Sequence, residues 1–165
     1  STHMQVLAPF SMNYGVLYPL QTFSKSVAIN LSSTPFLLEA SNDSVLNQLK
    51  SLASSVSTHI QYCNSEQRIR LHIAAVFSCN FSNHLYVIAQ ELLSANDLDF
   101  ALIRPLILQT AQKVMDTLPS EVQTGPAVRR DQLTLDRHRQ QLVNHPDWLR
   151  IYKLLSDDIM INIKR

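Results

Sequence analysis

Glycine is nearly absent from this chain: Gly15 and Gly125 are the only two in 165 residues. A dinucleotide-binding turn needs three glycines within a few positions, so that backbone amides can approach a pyrophosphate at a helix N-terminus. A phosphate loop needs one directly before its Lys-Ser/Thr pair. Lys25-Ser26 and Lys50-Ser51 are present, but neither follows a glycine. Neither phosphate cradle is encoded. Cysteine is equally scarce: Cys63 and Cys79 lie in apolar patterns and read as free thiols of a reducing cytoplasm. No CxxC or HxxxH spacing offers a metal site. Formal net charge is +1, and Arg129, Arg130, Arg137 and Arg139 make only a local basic cluster. Neither nucleic acid nor an anionic membrane is indicated as partner. No apolar run approaches the roughly 20 residues that span a bilayer, and no signal-peptide pattern opens the chain. A GxSxG nucleophile turn is also missing.

What is present changes character part-way along. Residues 14–63 alternate between strand and helix patterns. Tyr14–Tyr18 is a short apolar run ended by Pro19, and Pro35–Ala40 holds Phe36, Leu37 and Leu38 in succession, as a strand buried on both faces would. Residues 43–56 place Val45, Leu46, Leu49, Leu52, Ala53 and Val56 on one helical face, and Thr58–Cys63 returns to alternation. This predicts a βαβ unit at the end of a parallel sheet, with an open edge that needs covering.

From Asn64 onwards the pattern is helical. Asn64 and Gln67 form a variant capping box before a helix extending to about Ala95, roughly 45 Å at about 1.5 Å per residue. Its apolar residues fall on nearly every side, the signature of a helix central to a bundle or buried between subunits. A second helix is predicted from Asp97 or Asp99 to Leu118, with Pro105 bending it or marking its first turn. After a loop over 119–130, Asp131 can cap a third helix bearing Leu135, His138 and Leu142, with His138 expected as a packed, hydrogen-bonded core residue. Pro146 opens the last helix, whose stripe is Trp148, Tyr152, Leu155, Ile159 and Ile163. The expected fold class is mainly α: a helical bundle on a long central helix (64–165), preceded by a small βαβ remnant (1–63).

Several segments carry a resemblance. They are Tyr18-Pro19-Leu20-Gln21-Thr22-Phe23, Glu66-Gln67-Arg68, His72 to Phe77, Asn80-Phe81, Thr124-Gly125-Pro126-Ala127-Val128-Arg129-Arg130-Asp131, His138 and the Tyr152 region. In this order the chain resembles Rossmann-like NAD(P)-dependent oxidoreductases with an all-helical C-terminal domain of uncharacterised role. Tyr18 stands where that family has histidine. More distantly it is similar to pyrroline-carboxylate reductases and hydroxyacid dehydrogenases. The resemblance implies that a glycine-rich nucleotide-binding part precedes these residues in the parent protein. It also implies NADP or NAD as cofactor there, with none held by this chain alone. The Pro19 turn would then lie near the nicotinamide. Gln21 and Thr22, just after a strand end where open α/β sheets bind ligands, are the candidates for binding the cofactor's carboxamide or a substrate group, a plain strand-to-loop turn being the alternative. Hydroxyacid dehydrogenases carry a catalytic lysine one turn before an asparagine on the long helix; here Val76 precedes Asn80, so that chemistry is not implied.

His72, Val76, Asn80 and His84 recur at steps of four and form a strip on the long helix. Ser78, Ser82 and Asn83 add polar groups to the same turns. Unpaired burial of such groups costs about 1–3 kcal/mol each, so they should meet partners, water or a ligand. Asn80 is the candidate for orienting a carbonyl or imine, and His72 for donating a proton near neutral pH. Asn83, His84 and Arg129 are candidates for holding a small-molecule substrate. The bland alternatives are interhelical hydrogen bonds and solvated polar faces. Two functions follow: the substrate-binding and homodimerising part of a cytoplasmic oxidoreductase for a small carbonyl, imine or hydroxy compound, or a non-enzymatic helical dimerisation or ligand-sensing module.

Overall fold

Residues 2–23 and 29–162 are described by the computed structural model, so the Lys25-Ser26 pair lies outside the described residues. The apolar runs form the strands β1 (Gly15–Pro19), β2 (Phe36–Ala40) and β3 (Ile60–Tyr62), in the sheet order β1-β2-β3. β2 and β3 are parallel, with Leu38 opposite Tyr62, and α1 (Asp43–Ser54) joins them. That is the expected βαβ unit.

β1 departs from expectation. It runs antiparallel to β2, with Leu17 opposite Leu38, so the sheet is mixed rather than the end of a parallel one. A parallel neighbour requires a crossover, usually a helix, over one face. Between Pro19 and Phe36 the described residues hold only the 3-10 turn Leu31–Ser33. Gly15 permits the close approach: a Cβ there would sit 2.7 Å from both the Glu39 carbonyl oxygen and Leu49 Cδ1.

Phe36, Leu38 and Ala53 form the core of this part, with Leu17, Leu46, Leu49 and Ile60 packed around them. Full burial of a side chain such as Leu38 stabilises by about 1.5–3 kcal/mol. The apolar face of α1 is narrower than its sequence pattern, since Leu52 remains exposed and Val56, also exposed, lies beyond the helix end.

The capping box forms as expected. Gln67 N donates to Asn64 Oδ1 at 2.9 Å, and Asn64 N donates to Gln67 Oε1 at 3.0 Å. Helix continues from there through α2 (Ser65–Ala75), a π-helical stretch (Val76–Phe81) and α3 (Ser82–Ser94). The π stretch is what the four-residue spacing could not reveal. Its wider i→i+5 pitch rotates Cys79 and Asn80 relative to a regular helix, and such insertions often mark functional sites.

A buried polar network fixes the start of α2 against β2. Arg68, only 2% exposed, pairs with Glu39 at the end of β2. Glu39 also accepts from Ser65 N at 2.9 Å and Ser65 Oγ at 2.7 Å. The second Arg68 amino group donates to the Thr2 carbonyl at 2.9 Å and to Ser65 Oγ at 3.1 Å. Met4 N also donates to Ser65 Oγ. Burial alone would raise the Glu39 pKa; hydrogen bonds from Arg68 and Ser65, with the guanidinium charge, outweigh it and hold the carboxyl below its ordinary value.

Two compact units divide within α3, Ser1–Leu85 and Tyr86–Arg165. In the second, Asp99 caps a 3-10 turn (Phe100–Ile103) leading into α4 (Arg104–Asp116), where Pro105 occupies the first turn without bending an interior. A short α5 (Pro119–Val122) falls within the expected loop. Asp131 accepts from Thr134 N at 3.1 Å and caps α6 (Gln132–Gln141), and α7 (Pro146–Asn162) begins at its proline. His138 is not packed in a core: it is exposed, bonded to Tyr152 at 2.8 Å. Only Leu135 is buried on α6, so its apolar stripe is too narrow to enclose the imidazole.

Among the described residues no helix is long and apolar enough to cross a membrane. Cys63 is buried and Cys79 exposed, both as free thiols.

Candidate functional site

The sharp turn after β1 begins the site. Leu20 N donates to the Pro35 carbonyl at 2.8 Å and Gln21 N to the Pro19 carbonyl at 3.1 Å, closing the chain back on itself. Thr22 N and Thr22 Oγ1 then donate to Gln21 Oε1 at 2.8 and 3.3 Å. This occupies the amide oxygen of Gln21 and leaves its NH2 as a donor beside an acceptor, Thr22 Oγ1.

Facing this turn are residues of α2 and the π stretch. Together they enclose a cavity of about 380 Å³. Tyr18, Leu20, Gln21, Thr22 and Phe23 line one side; His72, Ala75, Cys79 and Asn80 line the other. The volume suits a small-molecule site, which is concave, partly apolar and furnished with a few convergent polar groups. Tyr18 hydroxyl stands 3.2 Å from His72 Nδ1. Arg68 lies one turn before His72, so the Glu39–Arg68 network ties the start of the helix that carries His72 to the end of β2.

Four residues singled out in the sequence meet here: Gln21, Thr22, His72 and Asn80. Asn83 and His84 are exposed in the next turn and do not line the cavity. Arg129 lies in the other compact unit, exposed in the loop before α6. The Asp131 carboxyl is held below its usual range, chiefly by hydrogen bonds from the Thr134 side chain and backbone, with Arg129 and Arg137 adding charge attraction. Tyr18 and Cys79 were not singled out as site residues. The partner of Tyr18 lies 54 positions away, and only the place of Tyr18 next to the Pro19 turn hinted at it. Among the described residues, no group of three or more His, Cys, Asp or Glu is placed to hold a metal ion.

A family profile, the domain of unknown function DUF2520, matches residues 34–159. The chain belongs to the DUF2520 family. A crystal structure from Bacteroides fragilis, provisionally assigned as an NADP oxidoreductase, is 42% identical and superposes with a TM-score of 0.94 over 98% of this chain. The fold is therefore that of an oxidoreductase-like, Rossmann-type protein with a mainly helical remainder. The DUF2520 chain spans 62% of that structure. Protein TM1727 of Thermotoga maritima shares the fold, with a TM-score of 0.73 at 20% identity, over 90% of this chain and 60% of that one. A search of curated proteins found no match.

Proposed function

We propose that this chain is the substrate-binding and dimer-forming part of a cytoplasmic NADP- or NAD-dependent oxidoreductase acting on a small carbonyl, imine or hydroxy compound. One observation carries the reading: the Gln21–Thr22 turn shares a single cavity with His72 and Asn80. The kinship to pyrroline-carboxylate reductases and a nucleotide-binding part outside these residues belong to the same proposal, as does a helical bundle on the 65–94 helix with the domain boundary at residue 63.

The residues fit one end of the cofactor and not the other. Gln21 NH2 and Thr22 Oγ1 form a donor–acceptor pair matching a carboxamide, as carried by nicotinamide. The pyrophosphate has no cradle here, because glycine occurs only at Gly15 and Gly125. When bound, a reduced nicotinamide supplies hydride; this chain's residues orient the acceptor and handle the proton.

Asn80 holds the substrate oxygen or nitrogen through its side-chain amide. Tyr18 and His72 deliver the proton. Between the neutral phenol and imidazole there are two protons, and only one is used in their mutual hydrogen bond. The other remains on Tyr18 Oη or on His72 Nε2, according to tautomer, as a donor available to the cavity. The reverse reaction returns that proton to the pair.

Ile73, Phe77, Phe81 and Leu85 recur at four-residue steps beside the polar strip and stay largely exposed. Phe77 and Phe81 meet edge to face at 5.1 Å. An apolar ladder of this kind supports homodimerisation through the long helix. It equally favours the second reading, a helical dimerisation or ligand-sensing module without catalysis.

Cys79 separates the readings, because it is exposed and lines the cavity while Cys63 is buried. In a protein joining these residues to a nucleotide-binding half, NADPH with a 2-oxo acid at about ten times the dissociation constant should slow iodoacetamide alkylation of Cys79 by roughly tenfold. Alkylation that ignores both ligands but slows with rising protein concentration would instead favour the assembly module.

A further inference from the structure

The second unit contains its own cavity, remote in sequence from the turn after β1. It measures about 310 Å³ and joins the Thr124-Gly125-Pro126-Ala127 loop to His138 of α6 and to Tyr152, Leu155, Ser156 and Ile159 of α7. Three separated segments noted in the sequence thus converge on one hollow for which the proposed reaction has no use. Gly125 explains the shape of the loop. Its φ of +112° is available to glycine at little cost, and beyond its chain neighbours no heavy atom among the described residues lies within 4 Å of where a Cβ would stand. The turn is fixed behind it by Asp131 N donating to the Pro126 carbonyl at 2.9 Å.

The walls are largely apolar, formed by Pro126, Ala127, Leu155 and Ile159, and the polar groups on them come from Thr124, Ser156 and the His138–Tyr152 pair. With both groups neutral, one of the pair's two protons is spent between Nδ1 and Oη. The remaining N–H or O–H is always free to donate. Among the described residues, neither Arg129 nor Arg130, on the segment leaving the loop, forms a salt bridge. Asp136 and Asp157 both pair with Arg139, and Asp131 is engaged by Thr134 and attracted by Arg129. Arg130 thus has no carboxylate partner among the described residues, which favours an anion, and an oxygen acceptor is what donors on a largely apolar wall select.

We infer that this cavity is a second ligand site, which takes a small monocarboxylate with an apolar body and anchors its carboxylate on the His138–Tyr152 pair. The site is independent of the chemistry proposed around His72 and Asn80.

Three probes of one size test it on the chain of residues 1–165: benzoate, benzamide and benzylammonium, titrated while amide chemical shifts are followed by NMR. Benzoate is expected to bind saturably and to shift the Gly125, Ala127 and Tyr152 amides, benzamide to bind at least about tenfold more weakly, and benzylammonium not to bind. Tyr152→Phe and, separately, His138→Gln should each weaken benzoate at least about fivefold, while Arg150→Ala on the exposed face of α7 leaves it unchanged. His138→Gln serves if Tyr152→Phe fails to fold. The proposal is overturned by equal affinity for all three probes, by no saturation at millimolar benzoate, by benzoate shifts confined to residues around His72, or by benzoate affinity unaffected in folded Tyr152→Phe.

Discussion

Replacing Arg68 with methionine should cost about 3–5 kcal/mol in urea unfolding, because removing one partner of a buried ion pair leaves the other uncompensated. Arg68 is 2% exposed and serves three acceptors: Glu39, Ser65 Oγ and the Thr2 carbonyl. Methionine fills much of the volume and satisfies none of them. The double substitution Arg68→Met with Glu39→Leu should recover more than half of the loss, since an apolar pair of similar volume avoids burying a lone carboxylate. The pH dependence supplies a sign that a packing defect would not. In the native protein Glu39 has its pKa lowered from 4.5, so its contribution is present above that value and lost as pH falls through the folded-state pKa. In Arg68→Met the hydrogen bonds and charge from Arg68 are gone and burial remains, which pushes the carboxyl upward. The gap between the two proteins should therefore narrow as pH falls from the raised carboxyl pKa of the variant towards the lowered one of the native protein. A gap constant from pH 7 to pH 4 would mean that Arg68 acts through its alkyl stem alone.

The second large effect concerns Tyr18. In a protein joining these residues to a nucleotide-binding half, Tyr18→Phe should lower kcat about 10²–10⁴-fold, the range for loss of a positioned proton donor. KM and NADPH affinity should change little, because the phenol contacts His72 and not the Gln21–Thr22 turn. His72→Ala should lower kcat comparably, and the double variant should be little worse than either single one, as expected of groups acting as a unit. Two independent, multiplying losses would separate the pair into unrelated contacts.

Much of the local structure was legible because its causes are local. The Asn64–Gln67 capping box, the Asp131 cap, Pro105 in a first turn and Pro146 at a helix start each depend on residues within one turn. The β2–α1–β3 unit followed from apolar runs and helical periodicity. What escaped depends on distance. The antiparallel direction of β1 shows only in its pairing with β2, which no periodicity encodes. Glu39 and Arg68 were visible as the acid ending a strand and a residue of a helix, but their pairing joins positions 29 apart. The π stretch also lay hidden, because four-residue steps read identically in a regular helix. Of the candidate site residues, the two helix positions facing the turn after β1 were readable, whereas Tyr18 became one only when the fold set it against His72.

Transfer of label tests the central claim most directly: the turn after β1 and the polar strip of the 65–94 helix together hold a carbonyl or imine for reduction. A protein joining this chain to a nucleotide-binding half should be given NADPH deuterated at C4 and a panel of 2-oxo acids, small aldehydes and cyclic imines. The account predicts deuterium on the former carbonyl or imine carbon of at least one product, and its loss in Asn80→Ala while NADPH remains bound. NADPH bound with no deuterium in any product, or labelling undiminished in Asn80→Ala, would contradict it.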